Sequence, residues 1–386
     1  MVELTFEGEV SALCEKQQDF IKNVLKELGI IGGKVKIEAV GKPGDNYIAD
    51  VKRIIVEKNG ELLKMIAKIA PNQEEVRQSM NTAVCFSNEN IMYSEVLPKF
   101  TQLEKDANIP IEERLKYAKF YGSFMEEPLE IILIEDLSES DFVMLNRFNS
   151  LKDDSIKLVL KNFAKLHAAS YALKNLEPET FECFSNKLLN LWELVGNTPE
   201  RDQFVKELVT DVINLMDEEK YYKIVDQIMN NVMEESGSVS KADRGNSFYV
   251  IQQGDPWTNN ILFKLEHDKS IDCCMIDYQI SKESSPVADI MYLIFNCTNF
   301  DTCSKHFHDW INYYHSELEI YLNHYGLKID STYSSDQLEK DLRRYANFAL
   351  GQSIMMASFL IRESKDAGTF NTKDDNKSME EKIEIL

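Results

Sequence analysis

A loop that leads into a predicted β-hairpin constrains the fold of this chain more than any other segment. The loop has the sequence QQGDPWTNN, with Asp255 after a glycine and Asn260 five residues further on. Two short apolar runs, 260–265 and 272–278, follow and predict a hairpin that ends at Asp277 in the segment MIDYQ. Because a hairpin folds back on itself, Asn260 and Asp277 would lie on the same side of one site.

An aspartate in a loop, an asparagine five residues on and a second aspartate after a hairpin are typical of phosphoryl transfer. Asp255 would orient an acceptor hydroxyl and accept its proton. Asn260 and Asp277 would supply the hard oxygen ligands that Mg²⁺ prefers. A lone Gly-Asp is usually a turn and a lone Asn-Asn is usually a loop. The complete set, with strand patterns between its parts, predicts a kinase that uses ATP and Mg²⁺.

The charge of the chain argues against two classes of partner. It has 65 acidic residues and 43 basic residues in a length of 386, which gives a net charge of −22. Such a chain repels phosphate backbones and anionic lipid headgroups, and the sequence contains no strongly basic patch. We therefore expect neither nucleic acid nor a membrane surface as a partner. ATP would need a local positive site, built from backbone amides, a lysine and Mg²⁺.

The sequence also favours a cytoplasmic location. The N-terminal segment MVELTFEGEVSALCEKQQDF carries acidic residues and no apolar run, so no secretory signal is expected. No stretch approaches the ~18 apolar residues of a membrane span. The seven cysteines are scattered and form no Cys-x-x-Cys motif, which favours reduced thiols over a disulfide framework or a zinc site.

Hydrophobic periodicity predicts a small β-rich lobe over residues 1–137 and a large helical lobe over residues 138–386. In the first lobe, strands are predicted at 34–40, 48–58, 61–69, 116–124 and 130–135, and helices at 10–29 and 75–97. The second of these helices is expected to end before Pro98. In the second lobe, 176–235 is helix-rich, and helices are predicted at 153–173, 286–297, 304–325, 335–349 and 350–362.

Several segments resemble the ecdysteroid kinase-like family, insect-rich relatives of choline kinases and aminoglycoside phosphotransferases. QGDPWTNNILF and MIDYQISKESSPVADIMYLIF look like the family's His-Gly-Asp-x-Trp-x-x-Asn and Ile-Asp-Phe-Gln signatures. Earlier in the chain, five more segments appear in the family's order: GDNY, the strand ending in IAK, FSNENIMYSEVLP, LIEDL and KLHAAS. The resemblance covers most of the chain. It implies an α+β, two-lobed protein-kinase-like fold with ATP in the cleft and the acceptor in the C-terminal lobe.

The resemblance also implies which residues bind the nucleotide. One short loop would cover the ATP phosphates, formed by Gly44, Asp45, Asn46 and Tyr47. Adenine would be recognised by the backbone carbonyl of Glu135 and the backbone amide of Leu137, so the identity of these side chains says little.

Lys68 would contact the α- and β-phosphates and pair with Glu89 on the following helix. Lys68 lies opposite the apolar face of its predicted strand, which alone would also suit a surface lysine. Glu74, Glu75 and Glu95 compete for the role of partner, and only the FSNEN context selects Glu89.

Three residues around the catalytic loop are expected to support it. Asp289 would brace the loop through backbone amides, and an acidic residue at a helix N-terminus is also favoured by the dipole. His167 lies on the apolar face of its helix, so it is interpreted as a core histidine. Gln253 stands where the family usually has His. Glutamine can donate and accept hydrogen bonds, so the loop is expected to survive the change.

The resemblance implies that the acceptor is an ecdysteroid, the insect moulting hormone class. A side-chain hydroxyl would be phosphorylated, as by an ecdysteroid 22-kinase in hormone inactivation. The aromatic residues and methionines of the C-terminal lobe would suit a large apolar pocket, although most belong to ordinary core. One alternative is a detoxification kinase for hydroxylated plant or xenobiotic compounds. Another is a pseudokinase that binds a steroid or nucleotide without turnover, for which Gln253 is the only sequence support.

Overall fold

The structure, a computed structural model, describes residues 4–41, 49–58, 60–194, 199–214, 216, 219–230, 232 and 245–360. Within these residues the chain has a two-lobed, protein-kinase-like α+β fold. A β-sheet with its covering helix forms the N-terminal lobe, and helices dominate the C-terminal lobe. The fold class expected from the resemblance is confirmed.

One sheet forms the frame of the N-terminal lobe. Its strands are β1 (Leu4–Gly8), β2 (Gly33–Ala39), β3 (Asp50–Lys58), β4 (Glu61–Ile69), β5 (Phe120–Phe124) and β6 (Ile131–Glu135). They lie in the order β1-β2-β3-β4-β6-β5; β1 is parallel to β2 and the other described pairs are antiparallel. The predicted hairpin between β3 and β4 is present, with Gly60 at φ 86° in its turn. β1 is not predicted from the sequence, and the strand predicted from residue 116 begins at Phe120.

The alternation of side chains along β4 decides where Lys68 projects. Met65 and Ala67 are buried in a core that also contains Ile21 and Leu25 of α1 (Glu15–Glu27). Successive side chains of a strand point to opposite faces, so Lys68 projects away from that core. The strand therefore directs the lysine toward the space between the sheet and the C-terminal lobe.

The helix predicted at 75–97 is wrong in its extent. The structure has α2 (Glu74–Met80), α3 (Thr82–Ile91) and α4 (Leu97–Asp106), with a π-helical turn over Met92–Val96 between the last two. Asn81, at φ 48°, separates α2 from α3. Pro98 lies in the first turn of α4, where its missing N–H is not needed, and the wider π turn precedes it. The helical path therefore continues through the proline.

The C-terminal lobe is helical around a buried central helix. Its helices are α5 (Asp153–Leu176), α6 (Pro178–Lys187), α7 (Leu191–Leu194), α8 (Pro199–Asn214), α9 (222–230), α10 (Pro286–Cys297), α11 (Phe300–His324), α12 (Ile329–Thr332) and α13 (Ser335–Leu360). α5 is the central one, with most of its side chains buried, and α10 has the predicted bounds. Among the residues described, no helix is long and apolar enough to cross a membrane.

The prediction of two helices at 335–349 and 350–362 is wrong, because α13 continues through this point. Gly351 lies within α13 and allows Val232 to pack closely: a Cβ at Gly351 would lie 2.7 Å from Cγ2 of Val232. The glycine therefore marks a close contact and not a helix end. Near it, α8, α9 and the C-terminal part of α13 share a small apolar core, which adjoins the main one at Met355.

Two small sheets hold the loops that matter for chemistry. β7 (Phe142–Met144), β9 (Ile261–Glu266) and β10 (Lys269–Met275) form one, and β8 (Val250–Ile251) pairs with β11 (Glu283–Ser284) in the other. The predicted hairpin is confirmed as β9 and β10. The loop 252–260 runs from β8 to β9, and the segment 276–282 runs from β10 to β11. Both therefore pass between the same two sheets and lie next to each other.

Candidate active site

The predicted catalytic loop, residues 252–260, is held by a carboxylate beneath it. The backbone N–H groups of Gln253 and Gly254 donate to the two oxygens of Asp289, at 2.8 and 2.9 Å. Asp289 lies in the first turn of α10, where the helix dipole also favours a negative charge. Both explanations considered for this aspartate therefore agree with its position.

Gly254 is required by the shape of the loop. Its φ is 96°, and a Cβ there would lie 2.5 Å from the backbone oxygen of Ile280. Only glycine adopts this conformation without strain and leaves room for so close a contact. The Gly-Asp pair is thus part of a tight packing between the catalytic loop and the segment that carries Asp277.

Gln253 makes contacts that connect the same two segments. Its Nε2 donates to the carbonyl oxygens of Ile276, at 2.9 Å, and Asp277, at 3.1 Å. Its Oε1 accepts a 2.6 Å hydrogen bond from the amide of Asp255. The side chain is fully buried and uses both of its hydrogen-bonding functions. The glutamine therefore orients the loop, as expected for a residue in the usual place of the family's histidine.

His167 is a core residue with partners at both ring nitrogens, and it is connected to the loop through Asp289. It is fully buried on α5, with Nδ1 2.9 Å from the hydroxyl of Tyr314 and Nε2 3.3 Å from Oδ2 of Asp289. One turn later, Ser170 accepts a hydrogen bond from the amide of Ile251 at 2.8 Å. The KLHAAS segment thus supports the loop from below and has no direct contact with Asp255 among these bonds.

Asp255 is fixed through both carboxylate oxygens. Asn260 donates from Nδ2 to Oδ2 at 3.0 Å, and the hydroxyl of Tyr292 donates to Oδ1 at 2.5 Å. Burial raises the pKa of Asp255 to about 7; the bonds from Tyr292 and Asn260 oppose this effect and the charge of Asp277 adds to it. A general base is most effective when its pKa lies near the working pH, so this carboxylate suits proton removal near neutrality.

The two predicted metal ligands are brought together by the hairpin. Ile261 pairs with Met275, and the amide of Ile276 donates to the backbone oxygen of Asn260 at 3.0 Å. Nδ2 of Asn260 is used on Asp255, which leaves its Oδ1 for a cation. Asp277 has φ 61°, a conformation that aspartate tolerates better than most residues, and its side chain is 21% exposed. An amide oxygen and a partly exposed carboxylate are hard ligands that fit Mg²⁺.

Lys68 joins the two lobes at this point. Its Nζ lies 2.8 Å from Oδ1 of Asp277 and donates a short hydrogen bond to Oε2 of Glu89. Burial disfavours its charge, but the carboxylates of Asp277 and Glu89 together hold the pKa of Lys68 above its ordinary value. The lysine therefore stays positive within the cleft, where phosphate groups would lie.

The other acidic residues considered as partners of Lys68 have different contacts. Oε1 of Glu74 accepts from Gln78, and Glu95 pairs with Lys187. Glu75 is exposed on α2. The structure thus brings Glu89 alone of these candidates to the lysine.

The structure describes only some of the residues that are predicted to bind the nucleotide. Glu135 ends β6, and Leu137 begins a short 3-10 turn whose first amides have no partner within the turn itself. These backbone positions suit adenine recognition, which stays a prediction. The predicted phosphate-covering loop, Gly44, Asp45, Asn46 and Tyr47, lies outside the described residues.

Two residues of the site are not identified by sequence reasoning. Tyr292 follows Asp289 by one helical turn on α10, so both side chains face the catalytic loop. That spacing is the signal that could have identified it. Asn88 is adjacent to Glu89 but bonds to segments far away in the chain, which no local pattern could reveal.

A model of the ecdysteroid kinase-like family matches residues 43–327. No curated protein matches the chain. Among solved structures, the GDP complex of wild-type aminoglycoside 2'-phosphotransferase-IIIa is 12% identical, covers 96% of this chain and 97% of its own, and gives a TM-score of 0.46. The GDP and kanamycin complex of APH(2")-IIIa is 13% identical, with coverages of 92% and 99% and a TM-score of 0.41.

The family match spans well over half of the chain and includes Lys68, Glu89, Asp255, Asn260 and Asp277. On this evidence the chain belongs to the ecdysteroid kinase-like family.

Proposed function

We propose that this protein is a kinase that transfers the γ-phosphoryl group of ATP to a hydroxyl group of a small molecule. The observation that carries the proposal is the convergence of two sets of residues in one cleft. Asp255 and Asn260 come from the catalytic loop, and Lys68 contacts both Glu89 and Asp277. A catalytic carboxylate, two hard oxygen ligands and a buried lysine are the parts that phosphoryl transfer needs.

Asp255 would act on the acceptor. Its carboxylate accepts a hydrogen bond from the acceptor hydroxyl, aims the oxygen lone pair at the γ-phosphorus and takes the proton as the new bond forms. The bond between the γ-phosphorus and the bridging oxygen of ADP breaks. The products are ADP, the phosphate monoester and one proton. Positioning and charge neutralisation supply most of the rate.

The nucleotide would be held by both lobes. Lys68 would contact the α- and β-phosphates, and the backbone of Glu135 and Leu137 would bind adenine. The segment from Gly44 to Tyr47 would cover the phosphates. Asn260 and Asp277 would hold Mg²⁺, which would supply charge neutralisation at the phosphate oxygens. With a net charge of −22, the chain would need Lys68 and Mg²⁺ to offset its own negative field at the phosphates.

For the acceptor we propose an ecdysteroid, phosphorylated on a side-chain hydroxyl in the cytoplasm. Membership of the ecdysteroid kinase-like family supports this choice. The N-terminal boundary of the acceptor-binding lobe would be at residue 138. A detoxification kinase for hydroxylated xenobiotics would use the same catalytic residues and differ only in the groups that line the acceptor site.

The test is mass spectrometry of a panel of ecdysteroids and hydroxylated plant compounds incubated with the protein, ATP and Mg²⁺. We expect phosphorylated ecdysteroid from the wild type. Asp255→Asn keeps the size of the side chain but removes its charge, so kcat should fall at least about a hundredfold with little change in ATP affinity. Asp309→Asn, exposed on α11, is the matched control and should keep wild-type rates.

The outcomes separate the alternatives. Phosphorylation of xenobiotics with no product from ecdysteroids would identify a detoxification kinase. Nucleotide or steroid binding that is equal in wild type and Asp255→Asn, with no product from either, would identify a binding protein and overturn the kinase. Equal turnover by both proteins would remove Asp255 from the mechanism.

A further inference from the structure

α3 carries two neighbouring polar residues with different partners. Glu89 bonds Lys68 within the N-terminal lobe, whereas Asn88 is directed to the C-terminal part of the chain. Asn88 is fully buried. An asparagine buried this deeply next to an ion pair needs a structural reason, because an amide that is removed from water must find partners for its polar atoms.

Asn88 finds those partners in two distant segments. Its Oδ1 accepts from the amide of Leu189 at 2.9 Å, and its Nδ2 donates to the Leu189 carbonyl oxygen at 2.8 Å. Nδ2 also donates to the backbone oxygen of Gln279 at 3.1 Å. The side chain thus binds one backbone unit after α6 at both its polar groups, together with the segment that begins at Asp277. Because the Asn88 side chain itself is fully buried, loss of these partners would leave its polar atoms unpaired at a cost in free energy.

We propose that Asn88 is a positioning residue that fastens α3 to the Asp277 segment, so that the Lys68–Glu89 pair is assembled before any nucleotide binds. The proposal rests on the proposed function, because that function gives the Lys68–Glu89 pair its role. In kinases of this fold the lysine–glutamate pair must be in place for phosphoryl transfer, and displacement of the helix that carries the glutamate turns activity off. Here the three bonds of Asn88 oppose such a displacement. The site is therefore permanently assembled.

Apolar side chains of this helical stretch, such as Phe86 and Phe100, pack in the core shared with the C-terminal lobe. The ion pairs between α3–α4 and that lobe are weaker polar contacts than those of Asn88. Glu95 pairs with Lys187 and Lys99 pairs with Glu177, and all four side chains are at least a quarter exposed. Exposed ion pairs contribute little to stability. Asn88 is the buried one among these polar contacts, and its directional hydrogen bonds are expected to fix the position of α3 beyond what apolar packing provides.

Cys85 provides a reporter for the position of α3. It lies one turn before Glu89 on the same helix and is 1% exposed, so a thiol reagent can reach it only if the helix moves. Alkylation with N-ethylmaleimide, followed by peptide mass spectrometry, gives the rate at this cysteine separately from the other six. In the wild type we expect the same slow rate at Cys85 with and without an ATP analogue and Mg²⁺.

Asn88→Ala should release the helix. Loss of these three hydrogen bonds, of which the one to Gln279 is fully buried, should raise the rate of Cys85 alkylation without nucleotide by about 10- to 100-fold, and nucleotide should lower it again. The kcat/KM for ATP should fall by a similar factor. Because Asn88 acts through Glu89, adding Asn88→Ala to Glu89→Gln should cost no further activity. Asn90→Ala is the control, since Asn90 bonds Ser123 within the N-terminal lobe.

The wild-type experiment can overturn the proposal even if Asn88→Ala does not fold. Rapid alkylation of Cys85 that nucleotide suppresses would show that α3 moves, and would overturn it. So would an Asn88→Ala variant with wild-type Cys85 protection, or a double variant with additive losses. The alkylation readout needs no turnover. A protected Cys85 in a protein that forms no product would therefore refute the kinase and leave the fastening by Asn88 in place.

Discussion

The hydroxyl of Tyr292 donates a hydrogen bond to Oδ1 of Asp255, while Asn260 occupies the other oxygen of the same carboxylate. The tyrosine comes from α10, which also carries Asp289 beneath the catalytic loop. One helix therefore fixes both the backbone of the loop and the orientation of the Asp255 side chain.

Tyr292→Phe removes this hydrogen bond and keeps the ring. Asn260 alone would then hold the Asp255 carboxylate, so we expect kcat to fall by about 10- to 100-fold with KM for ATP unchanged. Initial rates at saturating and limiting ATP measure the two effects. Tyr117→Phe, which loses a hydrogen bond to Thr101 elsewhere, is the control. A wild-type kcat in Tyr292→Phe would mean that Asn260 alone positions the carboxylate.

Asp277→Ala should abolish turnover and leave the fold intact, because the residue is partly exposed and supplies a ligand oxygen. Calorimetry of ATP binding with and without Mg²⁺ tests the role directly. The wild type should bind ATP more tightly when Mg²⁺ is present, and the variant should lose most of that difference. Near-normal activity in Asp277→Ala would refute the assignment.

Gln253→His should be tolerated or mildly activating. A neutral imidazole has one donor and one acceptor, so it can replace the bond to a backbone carbonyl and the bond from the Asp255 amide. Gln253→Ala provides the contrast, since it leaves these backbone groups unpaired and should lower kcat. Complete loss of activity in Gln253→His would give Gln253 a direct role beyond support of the loop.

Glu104 should make stability depend on pH. It is 2% exposed on α4 and accepts a 2.7 Å hydrogen bond from the amide of Leu115. Burial raises its pKa from 4.5 to about 7. The folded state therefore holds the Glu104 proton more tightly than the unfolded state does. The contribution of Glu104 to the free energy of unfolding is greatest below about pH 4.5 and is lost as the pH rises through about 7.

Glu104→Gln stays neutral and should lose this dependence. Relative to the wild type, the free energy of unfolding of the variant should increase by about 1–3 kcal/mol as the pH is raised from 4.5 to 8, as measured by urea unfolding. Glu112→Gln, an exposed residue, should show no such trend. A constant difference between Glu104→Gln and wild type across this range would contradict the prediction.

Local pattern and family signature together predicted the elements that carry the site. The β9–β10 hairpin follows from two apolar runs, and the bounds of α10 follow from a proline start and an apolar stripe. The path through Pro98 could not be predicted, because a π turn depends on packing around it. The same holds for Asn88 and Gln279, which are separated by 191 residues in the chain.

The small core shared by α8, α9 and α13 has a consequence for how such a protein can change over generations. His167, Asp289 and Gln253, which hold the catalytic loop, belong to other elements. Substitutions inside that small core would therefore reshape the surface formed by α8 and α9 and leave the hydrogen bonds around Asp255 untouched. The fold thus separates a small core whose packing can change from the hydrogen-bonded elements that hold Asp255 in place.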